Sequence, residues 1–237
     1  MGKDTILGPK LKNWMPPPCP TAPVLEGRYA RLERLDADRH ADELHRANAA
    51  DDTLWDYMAH GPFLSALAYS NWVHTAVAVN DPYYYAIKNL ETGQYEGVAS
   101  YLRIRPEMGD IEVGSIVFTP PLQRTRAATE AMFLMMQWAF EVGYRRYEWK
   151  CDALNQPSRR AALRLGFTFE GIFRQHMVIK GRNRDTAWFS VIDSEWPALK
   201  TAFETWLSSE NFSTNGQQRQ SLSDLTRRVR EADTACP

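Results

Sequence analysis

Residues 115–140 read SIVFTPPLQRTRAATEAMFLMMQWAF. The stretch opens on a β-branched apolar run that reads as a buried strand, and it closes on an apolar run with helical spacing. Between them lies a short basic loop, LQRTRAA, that contains no glycine. A helix starting at about 125–127 leaves its first amides unpaired, and those amides together with the helix dipole favour an anion. Arg124 and Arg126 add formal charge at the same point. Two readings are open: a phosphate-binding turn, or a solvated helix start.

Working outward, DIEVGSIVFT (110–119) completes the strand, and AATEAMFLMMQWAFEV (127–142) completes the helix, which Gly143 stops. Glu130, Gln137 and Glu141 give that helix only a narrow polar stripe, so most of its surface is buried. Upstream, GRYARLERL (27–35) alternates as a strand, and DADRHADELHRANAA (36–50) is helical with Asp36 or Asp38 as N-cap. Residues 51–80 hold a short helix, a turn at Gly61 and Pro62, and a second helix from about Leu64. YYYAIKN (83–89) and YEGVASYLRIR (95–105) are strands. Downstream come a strand RRYEWKCDA (145–153), a helix NQPSRRAALRL (155–165) capped by Asn155, and strands FTFEGIF (167–173), HMVIK (176–180) and DTAWFSVI (185–192). GRNR (181–184) is read as the turn between the last two, and SEWPALKTAFETWL (194–207) as a closing helix capped by Ser194.

The strand–helix–strand–helix order from Asp110 to Leu165 implies a right-handed crossover between parallel neighbours, whereas the earlier strands are antiparallel. The predicted fold class is α/β (α+β), with a mixed, mostly antiparallel central sheet flanked by helices over residues 25–207. The proline-dense run NWMPPPCPTAPV (13–24) makes residues 1–24 an extended arm. Residues 208–237 are polar and weakly patterned and read as a disordered tail, with a transient helix over 220–232 that puts Leu222 and Leu225 on one side.

The chain has 237 residues and a formal net charge of -1, which weighs against nucleic-acid binding. Cys19, Cys151 and Cys236 form no CxxC pair and the five histidines have no metal-ligand spacing, so reduced thiols, a cytoplasmic setting and no metal are expected. The first ten residues show no signal peptide, and Ile6 breaks the myristoylation pattern that Gly2 would need. No apolar run reaches membrane-spanning length.

LQRTRAATEA followed by CDALNQPSRRAALRLGFTFEG resembles the acyl-CoA-dependent N-acetyltransferases of the GNAT superfamily, and is most similar to the ribosomal-protein N-terminal acetyltransferase branch. Gln123, Arg124, Thr125, Arg126, Ala127 and Ala128 stand at the family's Q/R-x-x-G-x-G/A loop. Asn155 and Ser158 stand at its N-x-x-S, and Leu165-Gly166-Phe167 with Glu170-Gly171 at the following L-G-F and E-G. Arg126 replaces the first loop glycine, so the loop must take another geometry or add a guanidinium to the phosphates. The resemblance implies a splayed parallel strand pair, acetyl-CoA as cosubstrate, and a primary amine acceptor, either a protein N-terminus or a small molecule. It implies neither a metal nor a membrane or nucleic-acid partner, and the protein is expected to be a monomer or homodimer.

The resemblance also assigns candidate roles. Backbone groups of Ile116, Val117 and Phe118 would bind the pantetheine amides and serve the acyl oxygen, and one extra residue in VGSIVFTP would be absorbed by a β-bulge. Asn155 is a pantetheine ligand or only a helix cap. Ser158 shares an inward face with Ala161, Ala162 and Leu165, and is either the proton donor to the departing sulfur or a structural hydroxyl. Glu112, read as sharing a face with Gly114, Ile116 and Phe118, is the general base or an ion-pair partner of Arg103 or Arg105. Asp185 is expected to fix the hairpin. A non-catalytic CoA-binding module and a transferase of another acyl group, such as succinyl, stay as alternatives.

Overall fold

Alternation along the strands divides the side chains between two apolar layers. Tyr83, Tyr85 and Ile87 enter the larger core, while Tyr84 and Ala86 enter a second core on the opposite face. The computed structural model describes residues 7–234; Gly2, Ile6 and Cys236 lie outside the described residues. Eight strands form one sheet: β1 (Val24–Glu26), β2 (Ala30–Arg34), β3 (Tyr83–Asn89), β4 (Tyr95–Arg105), β5 (Asp110–Phe118), β6 (Arg146–Asp152), β7 (Thr168–Ile179) and β8 (Arg182–Ile192). Their spatial order is β1-β2-β3-β4-β5-β6-β8-β7. Every pairing is antiparallel except β5 with β6, as the crossover requires.

Helices α1 (Ala37–Asn48) and α2 (Ala66–Val77) cover the face that bears Tyr84 and Val98. A short 3-10 turn, Asp52–Trp55, precedes α2 and buries Trp55 in the same layer. Helices α3 (Arg126–Glu141) and α5 (Trp196–Leu207), with Ala162 of α4 (Gln156–Arg164), cover the other face. Asp36, Ser65, Thr125 and Asn155 each cap a helix by accepting the amide three residues on. No helix among the described residues is long and apolar enough to cross a membrane.

Two details position the cleft. The parallel pairing of β5 with β6 runs from Asp110 opposite Arg146 to Val113 opposite Trp149 and then stops, although both strands continue. On its other edge, β5 slips register against β4: Val98 faces Val117, but Ser100 faces Gly114. The extra residue is a bulge at Ser115, which takes φ +50°. The bulge inverts the alternation, so Val117 lies on the Glu112 side while Ile116 and Phe118 pack toward the α3 core. The single-face reading of Glu112 with Ile116 and Phe118 is corrected accordingly.

Several other expectations change. Glu130 is not part of a surface stripe: it is buried, and its carboxylate accepts the amides of Arg28 (3.0 Å) and Ala30 (2.7 Å) as well as that of Tyr29. The two strands expected over 167–180 are one strand with an irregularity between Phe173 and Met177, where Gln175 has φ +51°. Asp185 holds that irregularity by accepting Gln175 N at 2.7 Å. The turn is Lys180-Gly181, both at positive φ as a type I′ hairpin needs, so β8 begins at Arg182 inside the expected GRNR turn. Helix α5 starts after Glu195 with no side-chain cap, not at Ser194. The proline arm is extended and tied down: Pro17 and Pro20 are buried, and Tyr144 and Tyr85 donate to the carbonyls of Pro18 and Ala22.

The segment expected as a disordered tail is ordered over its described part. A 3-10 turn (Ser209–Asn211) and a sixth helix, α6 (Leu222–Thr234), follow α5. Leu222 and Thr226 are fully buried, and Leu225 and Val229 pack on the α3 core. An isolated helix of this length is marginal, and it is the apolar stripe 222–225–229 meeting a prebuilt surface that stabilises it.

Candidate active site

A cavity of about 1230 Å³ runs through the gap where β5 and β6 part, from the α3–α4 face to the α1–α2 face. At one mouth stands the start of α3. Thr125 Oγ1 accepts Ala128 N at 3.1 Å, and Arg124 takes φ +63°, the left-handed geometry that a glycine would supply in such a loop. The amides of Arg124, Arg126 and Ala127 then have no protein acceptor among the described residues. The Ala127 side chain is buried in the core, so this residue can offer only its main chain. Gln123 Nε2 donates to Phe118 O at 2.9 Å, which ties the loop back to β5 and occupies that carbonyl. Arg124 projects into solvent, whereas the Arg126 guanidinium lies over the rings of Tyr29 (4.7 Å) and Phe212 (4.9 Å).

Asn155 and Ser158 line the middle of the cleft. Asn155 Oδ1 caps α4 by accepting Ser158 N at 3.0 Å, while its Nδ2 has no protein acceptor among the described residues. The cap reading therefore holds and leaves the amide free for a ligand. Ser158 Oγ accepts the Trp149 indole N–H at 3.0 Å. No backbone carbonyl takes its hydroxyl among the described residues; its side-chain partner on that side is Cys151. Cys151 lies beside it; burial pushes the thiol up, and Ser158 partly offsets this.

Beyond the gap, on the α1–α2 face, Glu112 is 3% exposed and lines the same cleft. Its Oε2 meets Arg103 Nη1 at 2.6 Å and Lys150 Nζ at 2.9 Å. The ion-pair reading thus holds for Arg103; Arg105 instead pairs with Asp110. Glu112 Oε1 has no hydrogen-bond partner among the described residues, and a Cβ at Gly114 would come within 3.4 Å of it. The missing side chain at Gly114 keeps one carboxylate oxygen reachable.

Sequence reasoning did not find Lys150. It is buried between Glu112 and Glu148 (2.6 Å) and over the Trp188 ring at 3.8 Å. Burial opposes the charge on Glu148, yet Lys150 and Arg146 hold its carboxyl below the usual carboxylate range. The signal was the alternation of Glu148 and Lys150 on a strand in register with Glu112, which becomes visible only once the parallel pairing is known. His60, also not singled out, stacks on Trp72 at 4.5 Å in the cleft wall, and burial, with the charge of Lys180, pushes its imidazole down to about 4. Arg184 lines the same end, and its Nε is buried without a hydrogen-bond partner among the described residues. Among the described residues no group of three or more His, Cys, Asp or Glu could hold a metal ion.

Residues 30–168 match the family model described as an acetyltransferase (GNAT) domain. A GCN5-related N-acetyltransferase from Brucella melitensis is 49% identical, with a TM-score of 0.89, over 92% of this chain and 100% of that one. A protein described as a GNAT-family acetyltransferase from Chromobacterium violaceum ATCC 12472 is 41% identical, with a TM-score of 0.78, over 84% of this chain and 100% of that one. RimL, a ribosomal-protein alpha-N acetyltransferase, is similar in fold, at 20% identity and a TM-score of 0.63 over 71% of this chain and 93% of that one. No curated sequence gives a significant match.

Proposed function

The chain belongs to the GNAT acetyltransferase family, and on that premise we propose that it moves an acetyl group from acetyl-CoA to the nitrogen of a primary amine. One observation carries this reading: a proton acceptor and a proton donor, Glu112 and Ser158, line a single cleft from opposite faces of the sheet, joined through the gap between β5 and β6. The residues fit the cosubstrate. The free amides of Arg124, Arg126 and Ala127 suit a diphosphate, and the edge of β5 that β6 leaves unpaired suits the pantetheine amides.

When bound, acetyl-CoA supplies a thioester carbonyl open to a neutral amine. Glu112 Oε1 accepts the proton that the amine must lose, directly or through one water, while Arg103 and Lys150 fix the carboxylate through Oε2. Main-chain N–H groups near the bulge, on the edge that β6 does not pair, stabilise negative charge on the acyl oxygen. Ser158 donates its proton to the departing sulfur. The Trp149 N–H that already donates to Ser158 Oγ withdraws electron density from it and makes the hydroxyl a better donor. Tyr57, Met58 and His60 on one side and Met177 and Ile179 on the other form a largely apolar acceptor end. That lining suits an amine with apolar surface beside it, as a protein N-terminus or an aromatic amine has.

The test is release of free thiol from acetyl-CoA with a panel of N-terminal peptides and small amines. Glu112→Gln should lower kcat by about a hundredfold, and Ser158→Ala by about tenfold or more, with coenzyme affinity little changed. Thiol release from no amine, or full activity in both variants, overturns the proposal.

A further inference from the structure

The cleft does not end at the first turn of α3. It continues between α3 and α4 to a wall made by the end of α5 and the segment after it, where Trp206, Phe212, Gly216 and Gln218 line it. This wall is built firmly. Trp206 Nε1 donates to Gln218 Oε1 at 2.8 Å, and Phe212 pairs with Gln218 in a β-bridge. The buried Asn211 donates to the carbonyls of Trp206 and Gln220 and accepts Gln220 N at 2.9 Å. Helix α6 then clamps the segment to α4, with Thr226 Oγ1 donating to Arg164 O at 3.1 Å.

Four arginines, Arg124, Arg126, Arg160 and Arg164, line this end, and none has a carboxylate within ion-pair distance among the described residues. Among the described residues, Arg126 is held only by the rings of Tyr29 and Phe212. Arg164 is held by the Thr129 hydroxyl at 3.2 Å and lies over Trp206 at 5.1 Å. Half-buried cations without a counter-charge are costly unless an anion completes the site. The α3 amides can take only one anionic group of coenzyme A, the diphosphate. Past it the molecule carries a second, the ribose 3′-phosphate, next to an adenine ring.

We propose that Arg126 and Arg164, together with the wall 206–218, form a second anion subsite that takes the 3′-phosphate of coenzyme A, with Phe212 presented to the adenine. The proposal rests on the transferase reading and adds that the segment after α5, outside the matched family region 30–168, belongs to the cofactor site. Rings hold each guanidinium in place without neutralising it, so its N–H donors stay aimed at the cleft.

The experiment compares CoA with dephospho-CoA, which lacks only the 3′-phosphate, by calorimetric titration of the full chain at low ionic strength. Wild type should bind CoA about tenfold or more tightly than dephospho-CoA. Arg126→Gln and Arg164→Gln should each remove most of that preference, lowering CoA affinity far more than dephospho-CoA affinity. Phe212→Ala should weaken both ligands alike. Arg126 stands in the first turn of α3 and makes no side-chain hydrogen bond among the described residues, so its variant carries the test if Arg164→Gln fails to fold. Equal wild-type affinity for the two ligands, or arginine variants that weaken both equally, overturns this inference and leaves the transferase reading intact. Failure to bind either ligand overturns both.

Discussion

His60 lies in the cleft wall against Trp72 and Trp55, and its depressed pKa has a defined consequence for stability. The folded imidazole protonates near pH 4, whereas the unfolded one does so near its ordinary value of about 6.5. Its contribution is therefore complete above about pH 6.5 and is lost as pH falls toward 4, by up to about 3 kcal/mol. His40, also lowered by burial, acts in the same direction. Melting temperature should drop between about pH 7 and about pH 4.5, and less steeply in His60→Phe; parallel curves for the two proteins would refute this. At the same scale, the site was only partly legible from sequence. Asn155 and Ser158 were found because a cap and a short motif are local. Lys150 was not, since what makes it matter is a pair of carboxylates on two different strands.

At the level of elements, the joint between α3 and the β1–β2 turn stands out. The Glu130 carboxylate accepts three successive main-chain amides and sits where Gly27 has no side chain. A Cβ at Gly27 would approach Glu130 Cδ to 2.4 Å. Glu130→Ala should cost about 3 kcal/mol, because three main-chain donors, that of Ala30 buried, lose their acceptor. Gly27→Ala should cost about 2 kcal/mol through overpacking. In the Glu130→Ala background the glycine change should cost much less, since the clashing atoms are gone. Urea denaturation of the four proteins checks this, and strictly additive losses would disprove the steric account. Helix α3 also shows the limit of periodicity. Its stripe reads as amphipathic from sequence, but a charged residue in the stripe is buried once distant amides come to meet it.

Over the whole molecule, α6 and the turn before it close the large core. Leu222 is fully buried there. Leu222→Ala should destabilise the protein by about 2–4 kcal/mol. If the segment is part of one cooperative unit, calorimetry will show a single transition moved to lower temperature. A separate low-temperature transition would show instead that residues 209–234 melt independently of the domain. The same substitution should weaken coenzyme A binding if the wall is part of the site, linking stability to function across the chain.

The sequence by itself determined most strands and helices with their caps, the mixed sheet and the turn that opens α3. Each of these is written in local period, capping chemistry or chain order, whereas the β-bulge at Ser115 was expected only from one residue more than the spacing of the family the sequence resembles. Only the tertiary structure decided that Glu112 is bridged by Arg103 and Lys150, that Arg126 stacks between two rings, and that the last described helix is folded. Those outcomes depend on partners far away in the chain. Burial against such partners sets whether a charge is neutralised or a weak helix is held, and no window of neighbouring residues contains that information.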